Sequence, residues 1–256
     1  MVDWDHGTYE DTAAELAPAA AHVVERAQIA TGQSVLDLGT GTGNAAVLAA
    51  RAGANVTAVD PSRRLLEVAR ERVQNGTFAV AKAEDLPFDD RTFDRVLSLF
   101  AVIFTEHPQQ AATEILRVLK PAGKALITAW EPVGGMHAAL DTLGKATSEA
   151  AAKPLARDRF PWGDPAKVTE LFAGAQVTVD RAQISFEAPS AEAYIERFET
   201  RHQAGMLFKD VLTRAGTYDD TRAKALAAIE AANESDSALR VTSRYLVFTV
   251  ARRGAG

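Results

Sequence analysis

Between Val35 and Asn44 the chain reads Val-Leu-Asp-Leu-Gly-Thr-Gly-Thr-Gly-Asn, a short apolar run followed by glycines at alternate positions. The run Ser34 to Leu38, bounded by Gly32 and Gly39, predicts a buried strand. Glycines at its end let the backbone approach a ligand without Cβ interference. They also expose amides at the start of the next helix, which favours a carboxylate or phosphate. Asp37 sits two residues before the first glycine, where it can receive donors from a cationic ligand. A glycine loop alone is weak evidence, and the dinucleotide fingerprint asks for a glycine where this chain has Asn44.

The pattern around this loop is a regular alternation. The spacing of Leu16, Ala20, Val23, Val24 and Ala27 predicts a helix over residues 10–31. Residues 44–52 read as helix and Asn55 to Val59 as a second strand. A helix opens at Pro61, carries Leu65, Leu66, Val68, Ala69 and Val73, and ends at Asn75-Gly76. Residues 77–81 and Val96 to Phe100 read as the third and fourth strands. A helix after Pro108 turns Ala111, Ile115, Val118 and Leu119 inward, Pro121-Ala-Gly123 breaks it, and Ala125 to Trp130 is the fifth strand. Strand and helix thus alternate five times, which predicts a parallel sheet with helices on both faces.

Past Glu131 the pattern changes. Helical pieces are expected near 136–151, over 165–174, after Ser190 and over 206–233, with strands over 176–187 and 239–252. There are no internal repeats. The expected architecture is one α/β domain over 1–256, with a mostly parallel seven-stranded sheet. Its core is 10–130 with 165–188 and 239–252, and the insertions at 131–164 and 190–233 are expected to form a helical cap over a ligand pocket at the carboxyl ends of the strands.

Composition narrows the function. The chain has 256 residues, no cysteine and a net charge of -6. No cysteine means no disulfide scaffold, no thiolate metal site and no cysteine nucleophile. The acidic balance argues against a nucleic-acid partner. The first 25 residues hold no Lys or Arg, so no signal-peptide n-region is expected. The longest strongly apolar stretch, Val96 to Phe104, is too short for a membrane span. A cytoplasmic protein without a metal site is expected.

Asp60 follows the second strand, 21 residues after Gly39. A carboxylate there can grip both hydroxyls of a ribose. Asp60-Pro61 is also a good helix start, since Asp caps and Pro suits the first helical position. The glycine loop at fingerprint distance favours ribose binding.

Four stretches together carry a resemblance: Val35 to Asn44; Val59-Asp60; Ala83-Glu84-Asp85-Leu86-Pro87-Phe88 with Phe93-Asp94; and Ile115-Leu-Arg-Val-Leu-Lys-Pro121-Ala-Gly123-Lys124. Over about residues 33–130 the chain resembles the class I S-adenosylmethionine-dependent methyltransferases, the large family with ubiquinone- and sterol-type small-molecule members. The resemblance implies S-adenosylmethionine as cofactor, S-adenosylhomocysteine as product, and a small-molecule acceptor. It implies that Asp37 accepts the ligand's amino group, that the loop Gly39, Thr40, Gly41, Gly43 and Asn44 wraps its methionine moiety, and that Asp60 holds the ribose. Pro61 and Ser62 would flank the adenine, with Ala83, Glu84 and Asp85 at its edge. Phe100 and Ala101 would face the sulfonium, and Tyr9 would close over the carboxylate. The chain departs from the family at Lys82, where an adenine-binding aspartate is common, so that contact is lost or supplied by Glu84. Histidines common after the fourth strand are here Ile103 and Phe104.

Among other polar groups, Glu131 ends the fifth strand and His137 lies in the first insertion, and both are candidate substrate contacts. His107 reads as a surface turn, His202 as solvated, and His6 and His22 as surface. Trp130, Phe160 and Trp162 read as pocket lining or packing. No general base is assigned, and oligomeric state is not readable. The expected activity is methyl transfer to a small molecule by direct displacement. A non-catalytic S-adenosylmethionine-binding module and a nicotinamide-dependent dehydrogenase remain as alternatives.

Overall fold

The structure, a computed structural model, describes residues 8–151 and 160–252. Seven strands form one sheet: β1 (Ser34–Leu38), β2 (Asn55–Asp60), β3 (Thr77–Val80), β4 (Phe93–Ser98), β5 (Leu119–Trp130), β6 (Ala175–Ala188) and β7 (Leu239–Arg252). Their order is β3-β2-β1-β4-β5-β7-β6. β1 pairs in parallel with β2 and β4, β2 with β3, and β4 with β5. β7 runs antiparallel to β5 and sets Tyr245 opposite Trp130. The sheet is therefore Rossmann-like and mostly parallel, as the alternation predicts. The strand order reverses between β1 and β4, and ligands in such sheets sit outside the carboxyl ends of the strands at that point.

The faces follow from alternation along each strand. Leu36, Leu38, Val96, Ala125, Ile127, Leu246 and Phe248 share one buried cluster with Ile115, Val168, Leu171 and Phe172. Those last four come from α5 (Pro108–Val118) and from the α7 segment (Pro165–Leu171 and the residue after it). On the other face α2 (Ala17–Ala27) packs on β4 and β5, α3 (Asn44–Arg51) on β1 and β2, and α4 (Arg63–Arg72) on β2 and β3. α4 is started by Ser62, whose hydroxyl accepts from Leu65 N at 3.1 Å, as an N-cap should.

Several boundaries differ from the sequence expectation. Residues 10–31 are two helices, α1 (Tyr9–Glu15) and α2, because Pro18 lacks the amide that would continue α1. β4 spans 93–98 and ends before Phe100, whose φ is +52°. Pro121-Ala-Gly123 lies inside β5, beside a register shift at Phe93/Arg95 where a missing amide is tolerated.

Two compact units divide the chain. The sheet unit comprises Leu16–Trp130, Phe160–Ala182 and Tyr245–Gly256; the helical unit comprises Met1–Glu15, Glu131–Arg159 and Gln183–Arg244. In the helical unit α6 (Gly135–Ala150) packs on α9 (Gln203–Ala215) and α10 (Tyr218–Ala231), and α8 (Ala191–Arg201) on both of these. A Cβ at Gly135 would lie 2.6 Å from the Ala228 carbonyl oxygen, so the α6–α10 crossing requires glycine. α1 is tied to α8 by the pairs Glu15–Arg197 and Asp11–Arg201, the latter at 2.6 Å. Most of the two inserted segments thus lies in one unit. Trp162 instead packs in the sheet unit's core, edge-on to Phe160 at 5.2 Å, and residues 152–159 lie outside the described residues.

One polar cluster fixes the segment between β3 and β4. Arg117 Nη2 donates to Leu86 O at 3.0 Å, and Nη1 donates to Phe88 O at 2.6 Å and Asp90 Oδ1 at 3.0 Å. Its Nε donates to Glu114 Oε1 at 2.7 Å, while Glu114 Oε2 accepts from Leu86 N at 2.8 Å. Hydrogen bonds from Arg117, foremost, hold the Glu114 carboxyl below its ordinary range. Asp94 plays a matching part at the starts of β1, β4 and β5. Burial pushes its carboxyl up, but bonds from Lys120 and Ser34 N outweigh that and hold it low.

Arg117→Met keeps the stem and removes the donors. Charged hydrogen bonds contribute about 1.5–3 kcal/mol each, less where solvent reaches them, so we expect a net loss of about 2 kcal/mol. At about 2–4 °C per kcal/mol for a chain of this size, calorimetry should show the melting temperature fall by about 4–8 °C. An unchanged melting temperature would refute the clamp.

Candidate functional site

The glycine loop folds back over the end of β2. The amides of Gly39 and Thr40 both donate to Val59 O, at 2.8 and 2.9 Å. Gly43 N then donates to Thr40 O at 2.8 Å and the chain enters α3. Gly39, Gly41 and Gly43 have φ of 70°, 54° and 86°, a region that disfavours side chains. At Gly39 there is a second reason for glycine. A Cβ there would lie 2.2 Å from the Ala101 Cβ, so the loop presses directly on the segment leaving β4.

Two buried carboxylates hold this loop. Asp37 is 2% exposed and Asp60 is 6% exposed. Asp37 Oδ2 accepts from Thr40 Oγ1 at 2.7 Å and from Ala46 N at 2.9 Å. Asp60 Oδ2 accepts from Gly41 N and its Oδ1 from Ser62 N, both at 2.9 Å. Burial pushes the Asp37 carboxyl up to about 6, against the pull of Thr40 and Ala46 and with a further push from the Asp60 charge. Both of its hydrogen bonds end on one oxygen. An amide could accept both through its carbonyl, so the loop does not require the buried negative charge.

A third group closes the loop from outside. Arg72 Nη1, at the end of α4, donates to Thr42 O at 2.6 Å and to Thr42 Oγ1 and Asn44 Oδ1 at 3.1 Å. Sequence reasoning missed Arg72, because nothing in its surroundings separates it from the exposed basic residues usual at a helix end.

The other expected cofactor contacts in the sheet unit lie along the carboxyl ends of the strands. Pro61 is exposed beside buried Ser62, and Ala83 is half-buried. The Asp85 amide closes a short turn on Lys82 O at 3.2 Å. Glu84 Oε1 accepts from the amides of Glu106 and His107 at 3.0 and 3.4 Å, steadying the start of α5. His107 itself is exposed.

Phe100 and Ala101 leave β4 beside the glycine loop. Phe100 is buried with a positive φ that costs on the order of 1–3 kcal/mol outside glycine. Its amide donates to Thr128 Oγ1 at 2.8 Å. Its ring stacks on Trp130, with centroids 4.1 Å apart and planes 13° apart. Tyr245 meets both rings edge-on, at 5.5 and 6.3 Å. Sequence reasoning did not single out Thr128 or Tyr245 for the site, since both read simply as strand positions.

Three expected site residues, Tyr9, Glu131 and His137, fall in the helical unit. Tyr9 opens α1 and His137 is half-buried on α6. Glu131 pairs with Arg244 at 3.0 Å, and its amide donates to Arg244 O at 3.0 Å. Two histidines differ from expectation. His202 is not solvated: its Nδ1 accepts from Ala204 N at 3.1 Å, its ring stacks on Phe198, and burial drives it down to about 4. His22 is half-buried, edge-on to Tyr245 at 6.4 Å. His6 lies outside the described residues.

Comparison with known proteins identifies the family. A family model described as a methyltransferase domain matches residues 36–127. An uncharacterized protein of Mycobacterium tuberculosis is 32% identical over 214 residues, covering 81% of this chain and 74% of that protein. A demethylmenaquinone methyltransferase of Clavibacter sepedonicus is 38% identical over 127 residues, covering 48% of this chain and 52% of that protein. The chain spans about half the length of several curated relatives that it matches. Among solved structures, a putative methyltransferase of Bacillus halodurans shares the fold at TM-score 0.62 and 18% identity, covering 91% of this chain and 98% of that one. A Haemonchus contortus N-methyltransferase solved with phosphomonomethylethanolamine and S-adenosylhomocysteine does so at TM-score 0.56 and 21% identity, covering 92% of this chain and 53% of that one. Both show the fold alone. With the motif-bearing strands under one methyltransferase model and a relative matched over most of its length, the chain belongs to the class I S-adenosylmethionine-dependent methyltransferases.

Proposed function

We propose that this protein transfers a methyl group from S-adenosylmethionine to a small-molecule acceptor. The observation that carries the reading is the Asp37 carboxylate, kept beside the Asp60 carboxylate although the loop needs only one neutral acceptor atom from it. A buried charge without a structural need calls for a cationic partner. The α-ammonium of S-adenosylmethionine has that charge, and a nicotinamide dinucleotide, with its pyrophosphate, brings anions instead.

The residues divide the work. Asp37 receives the ammonium, Gly39, Thr40, Gly41, Gly43 and Asn44 pass along the methionine portion, and Asp60 takes the ribose hydroxyls. Pro61, Ser62, Ala83, Glu84 and Asp85 border the adenine, and Phe100 and Ala101 border the reacting end. Tyr9 is assigned to the cofactor by the family resemblance, and Glu131 and His137 to the acceptor. When bound, S-adenosylmethionine supplies a methyl group already activated on sulfonium. The chain's part is to align the acceptor's lone pair and exclude water. The acceptor forms one bond to the methyl carbon as the carbon–sulfur bond breaks, and S-adenosylhomocysteine leaves with the electron pair. Titration with S-adenosylhomocysteine and with NADH tests the reading. Saturable binding of the first supports it, and preference for NADH overturns it.

Asp37→Asn separates charge from geometry. A folded-state carboxyl raised to about 6 from 3.8 binds its proton more tightly than the unfolded chain does. Its contribution is therefore complete below pH 3.8 and is lost as pH rises through 6. Asp37→Asn should then gain stability over the wild type above pH 6, by up to about 3 kcal/mol at about 1.4 kcal/mol per pKa unit. It should bind S-adenosylhomocysteine about 10- to 100-fold more weakly at pH 7.5. The wild type should lose affinity as pH falls below 6, and the variant should not. Equal affinity of the two proteins at pH 7.5 would contradict the assignment.

Asp60→Ala removes the acceptor for two loop amides as well as the ribose contact. It should weaken S-adenosylhomocysteine about 10- to 100-fold and also lower stability by about 1–3 kcal/mol. Calorimetry giving an unchanged dissociation constant in the folded variant would remove Asp60 from the site.

A further inference from the structure

The aromatic group at the carboxyl ends of β4 and β5 is more than filler. Phe100, Trp130 and Tyr245 all belong to the sheet unit. Phe100 adjoins Ala101, which the glycine loop touches at Gly39. Trp130 and Tyr245 are cross-strand partners on β5 and β7, and Trp130 is only half-buried. A buried tyrosine usually spends its hydroxyl on a protein partner. Tyr245 is 2% exposed, and no hydrogen bond reaches its hydroxyl among the described residues. His22, Phe100 and Trp130 fix its ring by edge contacts alone.

Taking the methyl-transfer reading as its basis, we propose that Phe100, Trp130 and Tyr245 form the acceptor wall of that site, with the Tyr245 hydroxyl donating to an oxygen on a planar, conjugated acceptor. Flat rings lie well against stacked or edge-on aromatics. A single phenolic donor among such rings satisfies one polar atom and rejects ligands that lack it. Burial raises the Tyr245 phenol, so it stays protonated at neutral pH and acts as a donor rather than a base. The carboxylate that follows Trp130 in the chain, Glu131, is paired with Arg244 at 3.0 Å, so the wall selects for flat rings rather than for an aliphatic amine.

The test uses the full-length protein saturated with S-adenosylhomocysteine and three probes: 1,4-naphthoquinone, naphthalene and ethanolamine. The chain has no cysteine for the quinone to alkylate. Calorimetry should show the quinone bound more tightly than naphthalene, and ethanolamine not bound. Tyr245→Phe, which keeps the ring, should weaken the quinone about tenfold while leaving naphthalene and S-adenosylhomocysteine unchanged. Trp130→Leu should weaken quinone and naphthalene alike. Quinone affinity unchanged in Tyr245→Phe, or an equal loss for naphthalene, overturns the hydrogen bond. Tighter binding of ethanolamine, or no quinone binding by the wild type, overturns the acceptor class. Failure of the wild type to bind S-adenosylhomocysteine defeats the underlying cofactor reading instead.

Discussion

Two buried carboxylates a few ångströms from the same loop set the terms for this site. Asp37 and Asp60 repel each other and are out of water, which disfavours the charged form of Asp37 in particular. Part of the cost is met locally. Backbone amides of Gly41, Ala46 and Ser62 and the Thr40 hydroxyl all point at these two groups. The loop therefore takes its shape from the side chains that we assign to ligand binding. The oxygens that shape the loop belong to the groups that carry its charge, and a cation arriving there would meet acceptors already oriented.

Other polar contacts of the sheet unit hold the strands that carry the loop. Asp94 joins the starts of β1 and β5 through Ser34 and Lys120. Arg117 and Glu114 fix the turn that leads into β4. Thr128, buried within β5, holds the strained amide of Phe100. The first two contacts fix the starts of the strands, and the third lies at their carboxyl ends. In a parallel sheet the carboxyl ends are where ligands sit. Gly39 and Ala101 show how tight that arrangement is, since not even a methyl group fits between them.

The order of elements up to Trp130 was legible because each strand there is a short apolar run between turn residues. The residues of the glycine loop and Asp60 were legible because their spacing is set by local backbone geometry. What was not legible depends on the third dimension. Arg72 closes the loop from 28 residues beyond Asn44, and Tyr245 reaches the end of β4 only because β7 pairs with β5. His202 looked solvated beside Arg201, but the turn between α8 and α9 uses its ring as a cap. The break at Pro18 was hidden by an apolar spacing that runs on across two helices. Phe100 was placed inside β4 because a positive φ at a phenylalanine leaves no trace in sequence.

If the carboxylates assemble the loop before any ligand arrives, amide hydrogen exchange on the ligand-free protein will show it. The amides of Gly41, Ala46 and Ser62 should be protected to a degree comparable with those of β1, and S-adenosylhomocysteine should add little. Exchange of these three at unfolded-chain rates, with protection appearing only on ligand addition, would contradict the account.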